Sequence, residues 1–192
     1  THMKLTPALF GLLMGASLTT GAMAADSYTI DSRHTFPTFE INHLGFSTQR
    51  GRFNSTSGKI MLVPSQNSGS IEVKIDTASI DMGLEAWDKH MRGEDFFNSE
   101  QFPAMTFKST KLMFDGDKLV GAEGDLTLLG VTKPVTLDVK GFACGTHPIN
   151  KKPLCGADIS TTIKRSDFGM TKYLPGISDI VYIEIPVEAF RD

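Results

Sequence analysis

The sequence predicts an all-β protein, an eight-stranded antiparallel barrel with one short helix inserted at one end. Three observations carry this. Apolar residues recur at every second position through most of the chain, turn-forming clusters separate these runs, and a single segment departs to helical spacing. With about eight strands a sheet can close on itself and lose its edges. A two-sheet sandwich has the same period and turn spacing and stays open as the alternative.

In chain order, Thr1 and His2 precede Met3 and read as an expression scar. Lys4, the apolar run from Leu5 to Leu18 and the tripeptide Ala22-Met23-Ala24 read as a secretory leader cleaved after Ala24. Thr6, Pro7, Gly11, Gly15 and Ser17 interrupt the run, which is shorter than the ~20 residues of a spanning helix, so no membrane span is expected in the mature chain. The organisation is therefore residues 1–24 as scar plus leader and 25–192 as one barrel domain, long enough to bury a core of its own.

Strands are expected near 34–44, 51–63, 70–77, 104–111, 118–128, 134–143, 155–165 and 179–189. In the first, Thr35, Pro37, Phe39, Ile41 and His43 share a side. The same alternation appears in Ile71, Val73 and Ile75; in Val120, Ala122, Gly124, Leu126 and Leu128; in Val135, Leu137 and Val139; in Ala157, Ile159, Thr161 and Ile163; and in Val181, Ile183, Ile185 and Val187. Turns are signalled at Pro64–Gly69, Asp115-Gly116-Asp117, Gly130–Pro134 and Lys172–Ser178. Leu84 to Phe97 is the exception. Leu84, Trp87, His90 and Met91 fall at helical spacing, so a short helix should cross one barrel end, as a cap that plugs the core or as a lid lined with ligand contacts.

Composition excludes some functions. The net charge is −3, one unit more negative without Lys4, and Lys and Arg are scattered singly, so nucleic acid is not an expected partner. Cys144 and Cys155 bracket a Gly/Pro/Asn/Lys segment between two strand-like runs and read as a disulfide in an exported protein. Such a staple is worth roughly 2 to 3 kcal/mol in the chain-entropy picture.

An eight-stranded barrel either fills with its own side chains or holds one small ligand. The expected inward set mixes bulky Phe39, Phe53 and Phe107 with Gly58, Ala122, Gly124, Ala157 and Thr161, which leaves room on several strands. The lining is apolar, so the expected guest is a long hydrocarbon, gaining roughly 0.8 kcal/mol per buried methylene.

Four blocks, HTFPTFEINHLGFSTQRGRF, DKHMRGEDFFNSEQFPAMTFKST, GDLTLLGVTKPVTL and RSDFGM, occur here in this order. Together they closely resemble the YceI-like polyisoprenoid-binding proteins, lipocalin-like proteins of the bacterial periplasm, over about residues 28–187. The resemblance implies a carrier or store without catalysis, whose tunnel holds an isoprenoid or similar amphiphile such as an isoprenoid quinone or fatty amide. No other cofactor is expected. By position it assigns Phe39, Ile41 and His43 to one strand block, Asp88, His90, Arg92, Asp95 and Phe96 to the helical block, and Arg165, Asp167 and Phe168 to the last block. With Phe53, Ile75, Trp87, Met91 and Phe107 from the barrel and helix readings, these, apart from Asp95, form the candidate ligand-binding set. Pro37 and the Cys144–Cys155 loop depart from the family pattern. Pro37 cannot donate to a ladder and should sit at an edge or bulge.

The chemical alternatives are weaker. His34, His43, His90 and His147 with Asp88, Asp95 and Asp167 supply imidazoles and carboxylates but no metal-ligand spacing, and no G-x-S-x-G elbow exists for a hydrolase. The polar residues of the helix can clamp it to the strands or meet a head group by the same hydrogen bonds. Three functions stand: a periplasmic or secreted lipid-binding module, a lipid-modifying enzyme, and a solid-barrel interaction protein. A lipid-shaped tunnel would also accept unrelated hydrophobic compounds. Exposed strand or helix faces could support a homodimer, with no feature that fixes one.

Overall fold

A computed structural model describes residues 24–192. The expected leader falls on residues that lie almost entirely outside that range. Eleven strands form one antiparallel sheet: β1 (Asp26–Ile30), β2 (Thr38–His43), β3 (Ser47–Phe53), β4 (Thr56–Val63), β5 (Ser68–Asp76), β6 (Ile80–Asp81), β7 (Ala104–Asp115), β8 (Lys118–Leu128), β9 (Val131–Thr146), β10 (Pro153–Lys164) and β11 (Ile177–Arg191). Among the described residues the single α-helix, α1 (Glu85–Arg92), joins β6 to β7.

The eleven segments make eight staves. β1 and β2 lie on the same flank of β11, with Ile30 opposite Ala189 and Phe39 opposite Ile183, so they are two halves of one stave. β3 pairs with β2 and β4 with β1, and β6 and β5 pair with β3 and β4 respectively. The ring then runs β5–β7–β8–β9–β10–β11 and closes where β11 meets β1. This is the expected closed eight-stranded barrel with a short helix, and the sandwich alternative falls.

Four details differ from the sequence expectation. The first stave begins at Asp26, earlier than the expected 34, and is interrupted over 31–37. Hydrogen bonds to β11 hold the break: Asp31 N donates to Glu188 O at 2.8 Å, and Thr35 Oγ1 exchanges bonds with the Glu188 backbone at 3.2 and 3.3 Å. Pro37 sits in this break, where its carbonyl accepts from Phe53 N at 2.9 Å and its missing donor costs nothing. The expected strand 51–63 is likewise two strands, parted at Asn54-Ser55.

The third difference is the face of Val120. A register shift between Met113 and Phe114 turns Leu119 inward, 5% exposed, and leaves Val120 43% exposed. Finally, the expected turn at Gly130–Pro134 shrinks to Leu129-Gly130. Both have positive φ (52° and 73°), as a tight hairpin requires, and Pro134 lies within β9 opposite Asp125.

The core is a sleeve, with no single packed centre. One apolar cluster, with Tyr28, Leu62, Ile71, Phe107 and Val139, lies toward the end where β11 finishes. The other, with Phe39, Phe53, Phe96, Phe97 and Leu128, lies toward α1. Phe39 and Phe107 are in different clusters, and Trp87 is half exposed, so the three do not pack into a plug. The solid-barrel reading fails on this point.

Candidate functional site

Alternation turns mostly apolar residues of every stave into the barrel, and these side chains do not meet in the middle. They surround a cavity of about 820 Å³ that reaches from α1 to Tyr28, Phe142 and Cys155 at the far end. β11 alone contributes lining from Ile177 to Ala189, a run of about 40 Å at roughly 3.3 Å per residue before tilt. Ile159, Ile163, Ile183, Ile185 and Val187 point inward yet are only half-buried, which is the signature of side chains facing open space. The volume lies within the range of small-molecule sites.

The clue that suggested a void was half right. Ala122, Ala157 and Thr161 do line the cavity. Gly58 and Gly124 do not: a Cβ on Gly124 would fall 2.5 Å from the Phe107 ring, and one on Gly58 2.9 Å from Ile30 Cδ1. Neighbours have already filled the space those glycines leave.

At the mouth, α1 spans the opening. Glu85 and Asp88 in its first turn and Lys89, His90 and Arg92 in its last complement its dipole. Trp87, His90 and Met91, spaced three and four residues apart, form the one face that lines the cavity. His90 stands between rings, with centroids 6.0 Å from Trp87, 5.1 Å from Phe96 and 6.3 Å from Tyr173. Leu44 of the β2–β3 turn and Tyr173 of the loop before β11 complete the rim, and with Trp87 they are about half exposed.

Of the candidate ligand-binding set, Phe39, Ile41, His43, Phe53, Ile75, Trp87, His90, Met91, Phe96, Phe107 and Arg165 line the cavity. Asp88, Arg92, Asp167 and Phe168 do not. Asp88 Oδ1 accepts from Met82 N at 2.6 Å, and Arg92 pairs with Glu85 at 2.8 Å, so both fix the helix. Asp167 is exposed on an outer groove over β9–β11, and Phe168, 2% exposed, is packed within the cluster near α1. The left-handed Gly169 ends the short turn that turns these two away.

Arg165 is the buried charge of the site, 2% exposed. Its Nε, Nη1 and Nη2 donate to the carbonyls of Ser178, Met170 and Ile177, each at 2.9 Å, and so lock the loop before β11. Burial pulls its guanidinium pKa down, against the neighbouring Asp179 charge. Asp179 is pulled two ways. Burial would raise its carboxyl, but bonds from Ser166 N (2.8 Å) and Ser166 Oγ (2.7 Å), together with Arg165, hold it below the usual carboxylate range.

Tyr28, Thr35, Gln49, Thr56 and Tyr173 also line the cavity and were not among the expected residues. Inward alternation of Thr56, Gly58, Ile60 and Leu62 was the signal available for Thr56. Outside the tunnel, Asp31, His34 and Glu188 gather within 4.8 Å of one another, a trio invisible at their sequence spacing. Asp31 there already accepts from Arg33 N at 3.0 Å and lies 2.8 Å from His34 Nδ1. The expected Cys144–Cys155 disulfide is present, joining directly opposed residues of β9 and β10 with Cα atoms 4.0 Å apart.

Among the described residues no helix is long and apolar enough to cross a membrane. A family described as the YceI-like domain matches residues 28–189. A UPF0312 protein of Pseudomonas aeruginosa is 39% identical over 188 residues, covering 95% of this chain and 97% of that one. Another, from Vibrio cholerae, is 35% identical over 192 residues, covering 98% and 100%. Among solved structures, a Campylobacter jejuni YCEI protein aligns with TM-score 0.64 at 30% identity, covering 79% of this chain and 90% of that one. Burkholderia cenocepacia BcnA aligns with TM-score 0.71 at 24% identity (83% and 98%), and a polyisoprenoid binding domain from Saccharophagus degradans with 0.63 at 18% (86% and 98%); both are likenesses of fold.

Proposed function

The chain belongs to the YceI-like family, and from that membership and the tunnel we propose that it is a carrier or sequestering protein for a polyisoprenoid or similar long-chain amphiphile. The single observation behind this is the continuous apolar lumen, whose inward aliphatic side chains are left half-buried until a guest covers them. Covering them with a tail is favourable at about 25 cal/mol per Å² and needs no directional contact. The polyisoprenoid binding domain that shares this fold supports the choice of guest class.

The reading is of a binder and not an enzyme. The ionisable groups on the lumen are Tyr28, His43, His90, Arg165 and Tyr173, and Arg165 is committed to three backbone carbonyls. A periplasmic setting is part of the proposal, motivated by the leader-like segment and by the disulfide. Native mass spectrometry of protein purified from its source should find a non-covalently held isoprenoid-type lipid. An empty protein that also takes up no fluorescent isoprenoid would defeat the reading.

A further inference from the structure

Nine large apolar or aromatic side chains stand well exposed among the described residues, and five of them gather at the mouth. Leu44 and Phe46 belong to the β2–β3 turn, Leu84 and Trp87 to the start of α1, and Tyr173 to the loop before β11. The other four are scattered singly, on β4, β8, β11 and the β9–β10 loop. Contacts make the five one patch. Leu44 N donates to Gly176 O at 2.8 Å, Trp87 N to Leu84 O at 2.8 Å, and Trp87 and Tyr173 flank the same His90 ring.

The β2–β3 turn is the most exposed part of this patch, and its residues are unusual for their places. Leu44 and Gly45 both have positive φ (56° and 76°), and Phe46 N donates back to His43 O at 3.0 Å. Asparagine or aspartate is the usual partner of glycine in such a turn, so leucine there is strained and also half exposed. Tyr173 likewise holds positive φ (64°) at about half exposure. Phe46 is 90% exposed and does not line the lumen, so a guest in the bore leaves it in water. Its cover comes from outside the protein.

Two observations identify that cover. Residues 43–49 contain no Asp, Glu, Lys or Arg, and the charges beside the patch cancel in pairs, Arg92 with Glu85 at 2.8 Å and Lys172 with Asp95 at 3.7 Å. No field of one sign surrounds it, so the attraction is apolar. The patch is also continuous with the lumen, because Leu44, Trp87 and Tyr173 belong to both. A long-chain amphiphile resides in lipid, and an apolar path into the bore exists only if the rim meets hydrocarbon directly. Leucine and phenylalanine beside half-exposed tryptophan and tyrosine match the bilayer's own change from hydrocarbon to head-group region.

We propose that the mouth rim is a membrane-docking surface, which seats the β2–β3 turn and the start of α1 in the outer few ångströms of a lipid bilayer. This rests on the carrier reading and deepens it by naming where the guest is collected or released. Docking is driven by apolar burial, so it is insensitive to salt and needs no anionic lipid.

The test is co-flotation with vesicles of phosphatidylethanolamine and phosphatidylcholine whose acyl chains carry bromine. Trp87 is the one tryptophan of the chain, so quenching of its fluorescence reports contact of the rim with those chains. Wild type should float and be quenched equally at low and high salt. Phe46→Ser/Leu84→Ser changes two exposed side chains outside the lumen lining, so it should partition about tenfold or more weakly while keeping uptake of a fluorescent isoprenoid offered from solution. Ile149→Ser, an 85% exposed site on the β9–β10 loop, should behave as wild type. Quenching without flotation would mean that a lipid tail has merely entered the bore, and it would overturn the docking. So would flotation that requires anionic lipid, an unaffected double variant, or a dimer in solution that the double variant converts to monomer without any vesicle binding. Flotation with quenching but no isoprenoid uptake would keep the docking surface and defeat the carrier reading instead.

Discussion

Single side chains at the mouth divide into those that face the bore and those that hold the frame, and the sequence alone did not separate them. Asp88, His90 and Arg92 are neighbours on one turn of helix and equally polar. Only His90 reaches the lumen, because it lies at i+3 from Trp87 on the face that Met91 shares at i+4, which leaves Asp88 to Met82 N and Arg92 to Glu85. Asp179 makes the frame pH-sensitive. Its carboxyl is held below the usual range by Ser166 and Arg165 against the opposing pull of burial, so it stabilises the fold above the unfolded pKa of about 3.9 and loses that contribution as pH falls through its folded value. Asp31 acts with the same sign, its burial outweighed by bonds from His34 and Arg33. Urea unfolding of Asp179→Asn should therefore give lower stability than wild type at pH 7 and a shallower decline below about pH 4; parallel curves would exclude the linkage.

At the scale of elements, period two located most of the strands, because each has one face on the lumen and one in water. It did not locate the breaks. The interruption at 31–37 depends on Thr35 and Asp31 meeting Glu188, more than 150 residues away, and nothing local in the sequence announces such a partner. The flip at Val120 is equally hidden, since a bulge changes the face of a strand without changing its composition. The disulfide was legible from spacing and setting. It ties β9 to β10 at a pair already opposed in the ladder, so the double variant Cys144→Ser/Cys155→Ser should keep its β-rich circular dichroism and lose about 2 to 3 kcal/mol of stability in urea. Collapse of the barrel on reduction would mean that the bridge sets the fold.

For the whole molecule, the closed barrel followed from strand number and turn spacing, while its hollowness was only half legible. Small inward residues suggested space, yet Phe107 takes up what Gly124 leaves, and the open volume lies beside Ala157 and Thr161. Packing of one inward side chain against the next stave is a tertiary matter that composition does not carry. The void can be filled deliberately. Ala157→Phe adds a ring to the lumen of a barrel that has room for it, so it should cut uptake of a fluorescent isoprenoid at least tenfold while changing stability by less than about 1.5 kcal/mol. Undiminished uptake would place the guest elsewhere on the protein.

Every stave is bonded to a neighbour on both flanks, and β1 shuts the ring against β11. Below the mouth its girth cannot stretch for a bulkier occupant without tearing ladder bonds, whereas at the α1 end β6 is laddered only to β3, which is where surplus length of a guest would lie. Under the proposed carrier reading such a vessel gauges molecules by calibre and is indifferent to how long they are, so a stout polycycle of few carbons should be turned away where a slender chain of many is admitted.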